Sequence, residues 1–486
     1  MNLFSVSAFT LLQALCSTVI ALVIGIIAAF FTAKRSFPFK NLLLSFSSLP
    51  LCFPAILIAL GYVSFFGLSG TLNNFIKSAF GLQKAPITFL YSFFGIIIAQ
   101  GFYNFPLVMG SVHDCWAGLP QSQGEAARIL GASEWRLFRT VTIYQLLPSI
   151  VSSCMLVFLY CFFSFLIILL FGGISCTTLE VEIYKSVRAT LNFSETARLA
   201  CTETFLACLF VGFYAFLEQK SSRNRGASFH SIKSTEKISG LGQRFFAASF
   251  FSLIILFFVA PLLSIFYNAF SSARSLFTLA TFLHVVRMNG FWQSLASTIL
   301  TACATSALCV IFGFFYSVLL RSFDTSRKIW FFRMIPMIPM AFSSVVTGVA
   351  IILLVKRGSY LHLILAQFVL TWPLAFRPIH VALSKVSQET VDAGRILSPR
   401  RRDLIFRIYL PQSFRGILSA AGFCFAVSAG DTTLPLVLAI PKYTSLSLFT
   451  YRLASSYRFH EACAAGMILG LICTLVFVIA NKFKGK

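Results

Sequence analysis

Residues 124–133 read Gly124-Glu125-Ala126-Ala127-Arg128-Ile129-Leu130-Gly131-Ala132-Ser133, and residues 391–398 read Val391-Asp392-Ala393-Gly394-Arg395-Ile396-Leu397-Ser398. The shared Arg-Ile-Leu recurs at an offset of 267. The same offset pairs Glu125 with Asp392, Ala126 with Ala393, Val141 with Ile408 and Ile143 with Leu410. Further on it pairs Thr177 with Thr444, Leu179 with Leu446 and Tyr184 with Tyr451. One register held this far implies a duplicated unit. Earlier in the chain Ser17-Thr18 matches Ser297-Thr298 at an offset of 280, which makes the second copy 13 residues shorter in between.

Outward from these two polar segments the chain is apolar. Its 486 residues are 58% hydrophobic and 11% charged, with mean hydropathy +0.85. A soluble domain carries roughly 25% charged residues, so most of this surface faces something other than water. A spanning helix needs about 20 mostly apolar residues. Candidate spans fall near 9–33, 42–66, 87–110, 147–172, 197–217, 245–269, 291–319, 334–355, 359–380, 416–440 and 461–481. The reading is an all-α polytopic membrane protein with about eleven transmembrane helices in two homologous halves. The span near 245–269 has no partner in the first half.

The polar stretch from Glu218 to Arg244, with Lys220, Arg223, Arg225, Lys233 and Lys237, reads as a basic linker. It separates a first half, 1–217, from a second, 245–486. The formal net charge of +24 would point to nucleic acid in a soluble protein. Here the basic residues sit between spans: Lys34, Arg35 and Lys40; Arg128, Arg136 and Arg139; the linker; Arg321, Arg327, Lys328 and Arg333; Lys385 to Arg415; and Lys482, Lys484 and Lys486. Alternating spans place these clusters on one side, which the positive-inside rule makes the cytoplasm. Lys356 and Arg357 fall on the opposite side. No nucleic-acid partner is expected. The 13 cysteines form no C-x-x-C pair and mostly lie in apolar runs, and the six histidines lack metal-ligand spacing, so no metal site is expected.

The segment Glu125-Ala126-Ala127, with Gly131 six positions after the acid, resembles the EAA loop of ABC importer permeases. That pattern continues with I-x-L-P, which the second copy supplies as Ile408-Tyr409-Leu410-Pro411. Each copy departs from it: Val141, Ile143 and Tyr144 stand in the first, Asp392-Ala393-Gly394 and Ser398-Pro399 in the second. Small residues at 126 and 127 permit close packing. Glu125 is expected in the first turn, where its charge suits the helix dipole, and Gly131 permits the turn that ends the helix. Pro399 removes a backbone donor and predicts a shorter or kinked second helix. The resemblance implies the type I importer permease fold, with loops near 118–145 and 384–415 docking on two copies of a soluble ATP-binding subunit through Glu125, Ala126, Ala127, Gly131, Asp392, Ala393, Gly394 and Pro411. Without it, these are amphipathic cytoplasmic loop helices.

Two further stretches narrow the resemblance. Phe171-Gly172-Gly173 with Thr177-Thr178-Leu179-Glu180-Val181-Glu182-Ile183-Tyr184, and Ser428-Ala429-Gly430-Asp431, look like segments of fused thiamine-type and iron(III)-type permeases. The first leans toward thiamine, with iron(III) second. That likeness implies a bacterial inner-membrane location and an extracytoplasmic substrate-binding protein. It also implies that a family helix preceding the first core span is missing.

Asp431 lies in an apolar stretch, and an ionisable group within a span is a functional candidate. It is a candidate for the substrate path with Ser428; it is equally a structural carboxylate bonded to Ser428, Thr432 or Thr433. Glu180 and Glu182 are expected on the outer face, solvated or meeting the binding protein. Pro50, Pro54, Pro336 and Pro339 interrupt matching spans, as path-lining helix breaks or as kinks. An ion-gradient secondary transporter is the competing class. It would be expected to carry several intramembrane carboxylates or histidines, and would leave the EAA-like loops unexplained. No H-E-x-x-H, Ser/His/Asp set or G-x-x-x-x-G-K-[ST] stands in the chain. It therefore reads as a transport subunit and not an enzyme, binding no cofactor, with ATP used by its partner.

Overall fold

The computed structural model describes residues 3–48, 50, 53–173, 176–222, 236–237, 240–271, 278–322, 332, 334–355, 357–398 and 400–482. Arg223, Arg225, Lys233, Arg327, Lys328, Arg333, Lys356, Pro399, Lys484 and Lys486, named above, lie outside the described residues. In the first half α1 is Leu3–Lys34, α2 Ala55–Phe66, α3 Phe93–Ala117, α4 Gln121–Ile129, α5 Ile143–Phe162, α6 Leu179–Arg188 and α7 Phe193–Ser222. Helix α8, Leu241–Ile254, continues through a π-helical turn into Ala260–Phe270. In the second half α9 is Phe291–Ser322, α10 Ser344–Val355, α11 Tyr360–Ser384, α12 Gln388–Leu397, α13 Leu410–Gly430, α14 Thr433–Leu438, α15 Leu446–Ser455 and α16 Phe459–Lys482.

Among the described residues ten helices are long and apolar enough to cross a membrane, and the bent pair Ile335–Ala341 and Ser344–Val355 makes an eleventh. This matches the expected span count. The span near 416–440 is shifted, since α13 stops at Gly430. One two-residue parallel pairing, Arg35 opposite Glu236 and Ser36 opposite Lys237, joins the end of α1 to the linker.

By packing, the chain forms two compact units. One comprises Met1–Pro50, Gly61–Glu182 and Phe205–Ser264; the other comprises Leu51–Leu60, Ile183–Thr204 and Ile265–Lys486. Both are held by small residues, as helices in lipid require when no hydrophobic gradient drives them together. In the first unit α1 buries Ala14, Ser17, Ala21, Gly25 and Ala28 along one stripe while Leu12, Leu15, Val19 and Val23 stay exposed. A Cβ at Gly25 would stand 2.5 Å from the Val108 side chain, so α1 and α3 touch backbone to side chain there. The unpaired span α8 packs its phenylalanines on this unit: Phe250 and Phe251 against Phe31, and Phe257 against Phe66 and Phe102. In the second unit Phe314, Trp372, Ala375 and Ile379 form a core between α9 and α11, and Gly416 of α13 abuts Ala382.

The structure corrects the register of the repeat. Helices α1 and α9 each have 32 residues, and α3 and α11 each have 25. Ser17 donates to Gln100 Oε1 at 2.8 Å, and Thr305 donates to Gln367 Oε1 at 3.2 Å. Thr10 Oγ1 accepts the Leu179 amide at 3.0 Å, and Thr298 Oγ1 accepts the Leu446 amide at 2.7 Å. Ser17 therefore corresponds to Thr305 and Thr10 to Thr298, an offset of 288 rather than 280. The difference from 267 makes the second half 21 residues shorter, not 13. The lost segment lies between α2 and α3, where the first half holds the helix Thr71–Phe80. In the second half only residues 356–359 separate α10 from α11.

Candidate functional site

The two EAA-like segments fold as α4 and α12, short helices that each precede a long span. Gly131 ends α4 in the left-handed region, at φ 79°. Its amide donates to the Arg128 carbonyl at 2.9 Å, and the Ala132 amide donates to Ala127 at 3.0 Å. These paired bonds satisfy the last carbonyls of the helix, as a glycine stop does. Glu125 is the fifth residue of α4, mid-helix and exposed, so the first-turn dipole argument does not apply to it. Ala126 is exposed and Ala127 half-buried. Arg128 Nε meets Glu134 Oε1 at 2.6 Å across the turn. Helix α4 is tied to its span by the Gln145 side-chain amide, which donates to Gln123 Oε1, while Trp116 at the end of α3 stacks on Phe138.

Helix α12 is not shorter: it has ten residues against nine. Ser387 caps it by accepting the Thr390 amide. It ends at Leu397 without a left-handed residue, and Ser398, preceding the proline, is extended at φ −148°, the conformation a following proline imposes. The proline thus terminates the helix and does not shorten it. Asp392 pairs with Arg395 at 3.4 Å on the exposed face. Gly394 stands where the first copy has alanine, and a Cβ there would meet the side-chain ends of Ile408 and Leu404. Arg321, at the end of α9, donates to the carbonyls of Leu383 and Val386 and lies 5.2 Å over the Tyr409 ring. That clamp fixes the base of the second loop. Both loops enter their spans through a π-helical turn, Phe138–Thr142 and Leu404–Tyr409, and Pro411 sits just past the second, where the widened turn makes room for a residue that donates no amide.

Equivalent positions at the ends of these helices carry exposed apolar pairs. Ile129 and Leu130 are 86% and 88% exposed, and Ile396 and Leu397 are 84% and 87% exposed. Neighbouring Trp135 is 70% exposed. Large apolar side chains this open on a polar segment are the kind of surface that interaction sites present.

Asp431 does not lie inside a span. It follows α13 and starts α14. Its Oδ1 accepts the amides of Thr433 and Leu434 at 3.0 and 3.3 Å, and its Oδ2 accepts the Gln367 side-chain amide at 3.1 Å. Ser428 hydroxyl donates to Gln367 Oε1 at 2.7 Å. The partners of the Asp431 carboxylate are thus Gln367 and two backbone amides, in place of the side chains of Ser428, Thr432 and Thr433. Gln367 and its counterpart Gln100 are the junctions the sequence reading missed; a glutamine repeated at offset 267 within matched spans was the available signal.

Two segments of the chain, residues 21–223 and 325–483, match the family described as the binding-protein-dependent transport system inner membrane component. The chain belongs to this family. It is the permease subunit of a binding-protein-dependent ABC importer and a multi-pass inner-membrane protein, with the family region present twice. Membership sets aside the ion-gradient transporter. The chain is similar to the thiamine transport system permease protein ThiP of Escherichia coli, 23% identical over 100% of this chain and 90% of that protein. Against ThiP of Haemophilus influenzae the figures are 25%, 98% and 88%. A putative 2-aminoethylphosphonate transport system permease protein of Salmonella typhi is 28% identical over 44% of this chain and 73% of its own length.

Three further carboxylates of the permease lie within the packing. Glu180 is buried, and Glu182 is half-buried and accepts the Thr177 hydroxyl at 2.6 Å. Neither is freely solvated, the first of the two alternatives expected for them. Glu203, not singled out from the sequence, is buried in the span Phe193–Leu217. The helix breaks are real in both halves. Pro54 directly precedes α2 and lies against Gly430, and Pro336 and Pro339 occupy the segment that meets α10 at 84°.

Proposed function

We propose that this permease conducts thiamine, driven by two copies of a soluble ATP-binding subunit seated on α4 and α12 and supplied by an extracytoplasmic binding protein. The observation that carries the substrate is end-to-end similarity to thiamine permeases of several organisms. The observation that supports the docking surfaces is the exposed apolar pair repeated at the end of each loop helix. The chain has no phosphate-binding loop, so hydrolysis belongs to the partner. Nucleotide-driven closure of the ATP-binding subunits displaces α4 and α12. Each is packed onto the first turns of a long span, through Leu137 and Gln145 in one loop and Leu404 and Ile408 in the other, so its movement tilts that span. The path through the spans then switches its open side.

The test is uptake into proteoliposomes holding the permease, its ATP-binding subunit and its binding protein, with labelled thiamine and labelled iron(III) in parallel. ATP-dependent accumulation of thiamine alone is expected. Accumulation of iron(III) alone reassigns the substrate. Stimulated hydrolysis without uptake of either rejects both.

A further inference from the structure

Glu203 is a buried carboxylate that stands outside the site described above. It stands ten residues into the span Phe193–Leu217, about 15 Å along the helix axis, which is mid-bilayer depth. It is 1% exposed, and it shares its stripe with the buried Thr196, Leu199 and Ala207 while Phe205 and Leu209 on the other faces are open. The side chain is therefore turned inward and does not snorkel. Neither of its oxygens accepts a hydrogen bond among the described residues. The Ser343 hydroxyl lies beside the carboxylate without the geometry of a hydrogen bond, and Ser343 stands at the 84° break that leads into α10. Broken helices in transporters occur where backbone lines a path.

The repeat shows that packing does not require an acid here. The first turns of α7 and α16 match: Thr196 bonds back to Asn192 as Ala462 does to Arg458, and Asn192 meets Glu195 as Arg458 meets Glu461. That register places Glu203 opposite Leu469, which is fully buried. A leucine fills the equivalent space in the second half. An acid kept at this depth, against its cost in lipid and with only the Ser343 hydroxyl beside it among the described residues, needs a reason outside the packing. Asp431 has its oxygens taken by Gln367 and the start of α14, so it does not offer a free charge.

We propose that Glu203 is the counter-charge for an organic cation passing through the permease. This rests on the thiamine reading, since thiamine carries a permanent positive charge on its ring. The unused carboxylate oxygens replace part of the hydration that the cation loses on entering the spans.

The test compares wild type with Glu203→Gln, Glu203→Asp and Glu203→Leu in reconstituted complexes. Initial rates of labelled thiamine uptake are measured over a range of thiamine-loaded binding protein, and melting temperature is measured on each purified permease. Glu203→Gln and Glu203→Leu are expected to cut uptake roughly tenfold or more, the scale of one lost charge pairing. They should melt at or above wild type, because each removes a buried acid that has no hydrogen-bond partner among the described residues. Glu203→Asp is expected to restore most of the uptake. Uptake by Glu203→Gln equal to wild type overturns the inference. So does a lowered melting temperature for Glu203→Leu with Glu203→Asp equally impaired, which would make the residue structural. If wild type itself imports no thiamine, the substrate reading falls and the inference falls with it.

Discussion

Truncating the exposed pairs to alanine isolates the contribution of the docking surfaces. Ile129, Leu130, Ile396 and Leu397 are each more than four-fifths exposed, so the permease gains little from them on folding, and surface changes of this kind stay within about 0.5 kcal/mol. Alanine removes three carbons from each side chain, at ~0.8 kcal/mol per buried methylene, or ~2.4 kcal/mol if a partner covers it fully. With half of that area covered the loss is ~1.2 kcal/mol per residue and ~2.4 kcal/mol per pair. At 1.4 kcal/mol per tenfold this weakens each site by roughly 50-fold. The assay is affinity of the ATP-binding subunit for detergent-solubilised permease, immobilised and titrated, with Ile129→Ala/Leu130→Ala and Ile396→Ala/Leu397→Ala measured separately and together. Each double variant should weaken one of two sites, and the four-residue variant should lose stable assembly and ATP-driven uptake. Melting temperatures should not move. Affinity within twofold of wild type at an unchanged melting temperature would refute the assignment of these surfaces to the ATP-binding partner.

Three further outcomes follow from the packing. Asp431→Asn keeps one acceptor for the Thr433 and Leu434 amides but sets its own NH2 against that of Gln367, so it should destabilise by about 1–3 kcal/mol with no change in KM; a changed KM at an unchanged melting temperature would return Asp431 to the substrate path. Thr298→Val removes the acceptor of the buried Leu446 amide and Thr10→Val that of Leu179; each should cost about 1–3 kcal/mol and speed hydrogen exchange at that one amide, and equal exchange rates would sink the register of 288. Gly394→Ala puts a methyl against the terminal carbons of Ile408 and Leu404, side-chain ends that can turn aside, and gains about 0.8–1 kcal/mol of helix propensity; the melting temperature should hold or rise, and a clear fall would show that Ile408 is locked in place.

Much of this architecture is written in local signals, and its departures have local causes. The spans were legible because twenty apolar residues in a row have few alternatives to a helix in lipid. The stop at Gly131 was legible because only a left-handed residue closes the helix that way, and it stands at φ 79°. The register of α1 against α9 was not. Adjacent Ser and Thr residues occur twice on α9, at Ser297-Thr298 and Thr305-Ser306, so Ser17-Thr18 finds a partner at two offsets, and only the long-range bonds to Gln100, Gln367, Leu179 and Leu446 choose between them. Asp431 drew attention as an acid in an apolar run, yet the run contains a helix end, and a carboxylate is an ordinary partner for the first amides of the next helix. Glu203 was the acid to which the same rule applied with more force. It stands in the middle of one continuous helix, where every backbone amide beyond the first turn is already bonded. An aspartate at a break can be satisfied by the chain itself. A glutamate in mid-span depends on a side chain from elsewhere or on something that passes, and that distinction could have been drawn from the helix boundaries alone.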